Sequence, residues 1–318
     1  GHHRDIHSSP TRRSSDLPEA NYALERLVDT AARQTGIDAI ALRRRNMISP
    51  TSLPYATAVG TTYDSGDFEA VLDKALSLAD FAGFAARRAR SEQAGRRRGI
   101  GVSCFLEHAG GQPGEDATIG FPGDRGLVLA LAAQSSGQGH ASLFRRLAAA
   151  RLGISEEQVL VKQGDTGLDL GGTATVASRS TSAAGSAILR TIDLVLEKGR
   201  RVASLLLEAA VADIDYDSGY FLVAGTDRRI SLFEVAERAA DMRRRGEIAD
   251  SLDTRARAEV PQTFPNGCHI AEVEIDPETG VVTLAGYTAV DDCGTMLDPV
   301  LVERSEERRV GKECRYRW

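Results

Sequence analysis

Apolar residues recur at helical spacing over Ala23, Leu24, Leu27, Val28 and Ala31, which predicts a helix through NYALERLVDTAARQTG that stops at Gly36. DAIALRRRNMI predicts a second, short helix, with Pro50 and Pro54 breaking the pattern after it. SGDFEAVLDKALSLADF is strongly amphipathic, with Ser65 or Asp67 placed as N-cap. The basic segment AARRARSEQAGRRR continues the helical pattern and predicts a solvated charged face.

After Gly99 the texture changes. GIGVSCFLE and RGLVLALAA predict strands, ASLFRRLAAARLG a helix ending at Gly153, and EQVLVKQGDT a strand running into a turn. The longest helical pattern is ASRSTSAAGSAILRTIDLVLEKGRRVASLLLEAA. GYFLV predicts a strand, and SLFEVAERAADMRR a helix with Ser231 and Glu234 as a capping box. GCHIAEVEIDPETGVVTLAGYTAVDD predicts a hairpin turning at Asp276-Pro277-Glu278-Thr279-Gly280. Helices and strands alternate loosely beside an antiparallel pair, so the fold class is α+β.

Three stretches carry candidate chemistry. In SSGQGH the strand through Leu127–Ala133 gives way to a helix. Gly137 and Gly139 permit positive φ and close approach, Gln138 offers donors and an acceptor, and His140 opens the helix. In GDTGLDLGGTATVASRST the residues Ala177, Ser178, Arg179, Ser180 and Thr181 bring hydroxyls and free N–H groups to the start of the long helix, good chemistry for a phosphate. In VDDCGTMLDP, Asp291 and Asp292 end a strand before the Cys293-Gly294 turn; neighbouring strand residues point to opposite faces, so the two carboxylates need not converge, and Asp291 is expected to cap the turn. Glu107-His108 is more simply a strand end. Neither G-x-x-x-x-G-K-[ST] nor a G-x-G-x-x-G after a strand occurs.

Composition narrows the classes. The chain of 318 residues has 39 Lys+Arg and 45 Asp+Glu, a net charge of -6. HSSPTRRSSDL and RSEERRVGKEC, near the two ends, resemble translations of one sequencing-adapter DNA string and of its reverse complement, so residues 1–17 and 304–318 are set aside. Those ends hold 9 basic and 5 acidic residues, leaving 30 and 40, a net of -10. An acidic core argues against a nucleic-acid backbone binder. No apolar run approaches the ~20 residues that span a bilayer. Cys104, Cys268 and Cys293 are widely spaced and form no C-x-x-C pair, which fits reduced thiols in a cytoplasmic protein better than a disulfide frame or zinc site.

The order of motifs carries more than any one of them. PEANYALERLVDTAA, LRRRNMI, PYATAVGTTYDSGDFEAVLDKAL, GIGVSCFLE, SSGQGH, GDT, ASRST and AEVEIDPETGVVTLAGYTAVDDCG follow one another between about Pro18 and Glu303. This series resembles the molybdenum-binding large subunit of the xanthine dehydrogenase, aldehyde oxidase and aerobic carbon monoxide dehydrogenase family, nearest its bacterial carbon-monoxide-dehydrogenase-like members. The resemblance implies an incomplete cofactor-binding region of two α+β subdomains with mixed sheets: a helical part at 18–98, and 99–303 with the C-terminal hairpin. It implies that Gly137, Gln138, Gly139 and His140 line a molybdopterin cofactor, with Gln138 near the molybdenum and no direct metal ligand. It implies that Ala177, Ser178, Arg179, Ser180 and Thr181 hold its phosphate, and that Asp292 and Cys293 meet the cytosine dinucleotide end. The implied reaction is oxidative hydroxylation of an aldehyde, N-heterocycle or carbon monoxide with water as oxygen source. Electrons would leave through an iron–sulfur small subunit and an FAD-binding medium subunit. The family's general-base glutamate is expected beyond Glu303, so this chain alone is expected to be inactive. The rival reading from the residues is a non-catalytic phosphate- or nucleotide-binding module.

Overall fold

The computed structural model describes residues 17–302 apart from 112, 124 and 125; the adapter-like expectations for 1–16 and 304–318 lie outside the described residues. In chain order come helices α1 (Leu17–Thr35) and α2 (Ala39–Asn46), the short strands β1 (Tyr55–Ala56) and β2 (Thr62–Tyr63), helices α3 (Phe68–Leu78) and α4 (Phe84–Gln93), and strand β3 (Arg97–Leu106). Then follow β4 (Ala109–Gly110), β5 (Glu115–Gly120), β6 (Leu127–Leu131), α5 (His140–Leu152), β7 (Val159–Gln163) and the 27-residue α6 (Ser180–Leu206). The chain continues through β8 (Ile214–Asp217), β9 (Tyr220–Val223), β10 (Arg229–Ser231), α7 (Leu232–Arg244), β11 (Thr254–Ala258), β12 (Gln262–Thr263), β13 (Asn266–Ile275) and β14 (Val282–Asp292). The mixture is the α+β class expected.

The chain divides into two compact units, residues 1–109 with 263–318, and residues 110–262. The sequence puts the boundary at 98/99 and keeps the hairpin with the second part. The structure divides differently because β13 pairs along its whole length with β3 as well as with β14. Among the described residues the ladder bonds of β3 are made only by this late strand, so the hairpin belongs with the N-terminal helices.

In the first unit the sheet order is β14-β13-β3, antiparallel throughout. Leu72 and Ala75 of α3 pack on Cys268 and Ile270 of β13, with Val102, Cys104 and Val290 at the margin of this cluster. Asp67, one of the two caps considered, accepts from Ala70 N–H at 3.1 Å and starts α3. Asp38 caps α2 likewise, accepting from Ile40 and Ala41. α1 forms as its spacing predicts, with Leu24 61% and Leu27 65% exposed and Ala32 buried. Polar residues also tie it down: Asn21 donates to Ser103 Oγ, while Glu25 and Asp29 grip the buried Arg43. One expectation is corrected here: the basic segment around α4 is no free solvated face. Arg87 and Arg98 bind Glu272 of β13, and Ser91 and Arg96 bind Glu274.

In the second unit a four-stranded sheet runs β11-β5-β6-β7. The apolar run through β6 becomes an interior strand, with Leu127, Leu129 and Leu131 at 1% exposure or less. α6 lies along this sheet on Ala183, Ala184, Ala187, Ile188, Ile192 and Val195, all fully buried. Small residues in its first turns let the helix start close to the strands. The strands β5 and β11, absent from the sequence expectations, complete the sheet.

Candidate functional site

Strand directions gather the chemistry. β6 and β7 pair in parallel, so their C-terminal ends, leading into 132–140 and 164–180, leave from the same edge. β5 runs antiparallel to β6, with Ala117 opposite Leu131, which sets the start of β5 at that same edge. β11 runs antiparallel to β5, and Ala258 faces Glu115 there. Both candidate bends and two acidic residues therefore meet at one end of one sheet.

Glu115 is the keystone of that end. It is fully buried; its Oε1 accepts from Ala133 N–H at 2.8 Å, and its Oε2 accepts from Arg179 Nη1 at 3.1 Å. One carboxylate thus binds the entry to the SSGQGH bend and the ASRST loop together. Thr175 adds a second tie, its hydroxyl donating to Gln134 C=O at 2.5 Å, and Gln163 Nε2 donates to Ala133 C=O at 2.7 Å. The close approach needs Gly172, where an added Cβ would stand 2.7 Å from both Ala132 Cβ and Glu115 Oε1.

Asp116 folds the preceding loop over the sheet edge. It accepts from Gly171 N–H at 2.8 Å and from both Arg255 and Arg257. Burial works to raise its pKa, but the hydrogen bonds from Arg255, Gly171 and Arg257 outweigh burial and hold it below the ordinary carboxylate value.

Gly137 (φ +100°) and Gly139 (φ +79°) take the left-handed conformations that the sequence reserves for them. Gln138 turns its amide oxygen inward, accepting from Ser136 N–H at 2.5 Å and Ser135 Oγ at 3.4 Å. Residues 134–138 are exposed, whereas His140 is buried against Phe144, and its Nδ1 has no partner. Burial pushes the His140 pKa down, so the ring is neutral at pH 7. The first intrahelical bond of α5 is Leu143 N–H to Gly139 C=O, which leaves the N–H groups of His140, Ala141 and Ser142 ahead of the ladder.

The ASRST loop is built in the same way. Ala177 and Ser178 both have positive φ, 53° and 50°, a conformation uncommon for residues with a Cβ. Ser178 is exposed, and the first bond of α6 runs from Ala183 N–H to Arg179 C=O. The N–H groups of Ser180, Thr181 and Ser182 therefore precede that ladder too. Arg179 departs from the simplest expectation. Its guanidinium is 3% exposed and turns inward to Glu115 and to Pro113 C=O, so it shapes the loop from beneath.

Asp292 and Cys293 lie in the other unit, at the end of β14. Asp292, rather than Asp291, closes the turn by accepting from Gly294 N–H at 3.0 Å, and Cys293 is exposed. Asp291 instead partners His269 Nε2 at 3.1 Å, whose Nδ1 meets Tyr287 OH at 2.7 Å. Among the described residues no group of three or more His, Cys, Asp and Glu side chains could hold a metal ion.

Glu115, Asp116 and Thr175 have no place in the sequence expectations. The usable signal is the alternation in TRARA at 254–258, which puts Arg255 and Arg257 on one face, where both reach Asp116.

Two glycine- and hydroxyl-lined turns with helix starts at one sheet edge have donor chemistry suited to an anionic, phosphate-bearing group. Comparison with known families gives it a name: residues 74–305 match the molybdopterin cofactor-binding domain, and the chain belongs to that family. The carbon monoxide dehydrogenase large chain of Hydrogenophaga pseudoflava is 31% identical over 92% of this chain and 38% of its own length. The reconstituted CO dehydrogenase from Oligotropha carboxidovorans superposes with a TM-score of 0.82 at 28% identity, over 92% of this chain and 39% of that one. Quinoline 2-oxidoreductase from Pseudomonas putida 86 gives a TM-score of 0.78 at 30% identity, over 89% and 38%. This chain thus spans less than two-fifths of the length of each of these three relatives.

Proposed function

We propose that this chain is part of a molybdenum hydroxylase large subunit and that its 110–262 unit holds the pterin and phosphate of the molybdenum cofactor. The observation that carries the reading is the tie between the two bends through Glu115. The residues fit such a group. The open N–H groups and hydroxyls at the α6 start suit phosphate oxygens, the glycine turn admits a flat ring system, and buried His140 Nδ1 awaits a partner. Gly137, Gln138, Gly139 and His140 line the pterin. Ala177, Ser178, Ser180 and Thr181 hold the phosphate, and Arg179 positions them from below. The phosphate belongs to a cytosine dinucleotide form of the cofactor.

When bound, the cofactor supplies the two-electron chemistry of oxidative hydroxylation, with water as oxygen source. The chain's own share is binding, orientation and a neutral imidazole that adds no charge beside the ring. The substrate is an aldehyde, an N-heterocycle or carbon monoxide, a range in keeping with relatives named for carbon monoxide and for quinoline. Electrons pass to an iron–sulfur small subunit and an FAD-binding medium subunit in the cytoplasm. Among the described residues no helix is long and apolar enough to cross a membrane.

Expression in a host that makes the cofactor, followed by metal analysis and identification of the released pterin and nucleotide, tests the reading. The wild-type chain is expected to carry molybdenum with a pterin. Ser178→Asp, which sets a carboxylate against the phosphate, is expected to carry at least about tenfold less. A plain nucleotide without molybdenum would replace this reading with the phosphate-binding module.

A further inference from the structure

We propose that Cys104 and Cys268 form a reversible disulfide when the protein meets hydrogen peroxide. The two residues are directly opposed in the register of β3 and β13. Opposed Cα atoms in an antiparallel ladder stand about 4.5–5.5 Å apart, inside the roughly 4.4–6.8 Å that a disulfide spans. Both are free thiols on the face covered by α3, clustered with Leu72, Ala75 and Ile270. Wide spacing along the chain hides this pair; the return of β13 to β3 makes it.

The two sulfurs are unlike. Cys104 is partly exposed, and the neighbouring Cys268 thiol holds its pKa below the ordinary thiol value, against burial and the Glu25 carboxylate and with a smaller contribution from the Arg43 guanidinium. Cys268 is 1% exposed, and its pKa is pushed up by the neighbouring Cys104 thiol and by burial. The asymmetry assigns the roles, since the thiolate is the nucleophile. Cys104 Sγ attacks the peroxide, the O–O bond breaks, and a sulfenic acid forms as the first water leaves. Cys268 Sγ then attacks the Cys104 sulfur; the S–O bond breaks, the S–S bond forms, and the Cys268 proton leaves in a second water. Two thiols give up two electrons and one peroxide becomes two waters, so no other reactant is needed. A thiol reductant reverses the link, which fastens β3 to β13 within the sheet.

The test uses the full chain with Cys293→Ser and Cys314→Ser, treated folded with hydrogen peroxide and mapped by proteolysis and non-reducing mass spectrometry. A peptide joining Cys104 to Cys268 is expected, with loss of both remaining thiols and their recovery in dithiothreitol. With Cys268→Ala added, oxidation is expected to stop at a dimedone-reactive sulfenic acid on Cys104. If that variant fails to fold, the peptide map of the parent decides alone. Survival of both thiols in excess peroxide, conversion of Cys104 to sulfinic acid without a link, or a link formed only after unfolding in urea would overturn the proposal.

Discussion

Each unit buries one glutamate against arginine, and the two arrangements do different work. In the 110–262 unit Glu115 is fully buried with a single arginine, itself 3% exposed, and it binds a strand end to a loop. In the other unit Glu272 is held by Arg87 and Arg98, whose side chains are 17% and 19% exposed, and it fastens α4 and its flank to a sheet face. The first pair sets the shape of the sheet edge where the two bends meet and can relax nowhere. The second is a rivet that water can partly replace. Burial of the partner, more than the number of partners, separates a positioning charge from a stabilising one.

That contrast can be broken by mutation. Glu115→Ala leaves Arg179 charged and buried without its partner, and should cost about 3–5 kcal/mol in urea unfolding. Glu115→Leu combined with Arg179→Met should cost less than Glu115→Ala alone, because no charge is then stranded. Equal losses would mean that the pair does not act as a unit.

Glu272→Ala should cost less, about 2 kcal/mol, because Arg87 and Arg98 can turn to water. Its signature is in pH. Burial works to raise the Glu272 pKa, but the hydrogen bonds from Arg87 and Arg98 outweigh burial and hold it below the ordinary value. A depressed carboxyl stabilises fully above its unfolded pKa, about 4.3, and loses that contribution as pH falls through its folded value. The stability gap between wild type and Glu272→Gln should therefore narrow as pH drops below about 4. A gap constant down to that range would refute the depressed pKa.

Thr175→Val, nearly isosteric, removes only the bond to Gln134 C=O and should cost about 1 kcal/mol. If the Thr175 tie matters to the binding edge, the same change should weaken cofactor retention more than it lowers the melting temperature.

Much of this was legible in the sequence where local pattern decides: the apolar strand β6, the long α6, the cap of α7 and the β13–β14 hairpin. The two bends were legible as well, because their glycines and serines announce unusual backbone. What hid was long-range. β5 and β11 carry Asp116 and Arg257 at facing positions, and such charges read as surface until the strands pair. In α1, Asn21, Glu25 and Asp29 find partners in Ser103 and Arg43, ties that helical spacing alone does not announce. Nothing beside Glu115 in the sequence marks it as buried, since both of its partners arrive from distant segments.

The return of β13 to β3 also bears on synthesis. β3 ends at Leu106 and its ladder partner begins at Asn266. At translation rates of ~5–20 residues per second, the emerging strand waits roughly ten to thirty seconds with an unmatched backbone edge. The nascent chain meanwhile passes through the whole 110–262 unit, so that unit can be completed before the β3 sheet is, and β3 is the segment that a chaperone would need to shield.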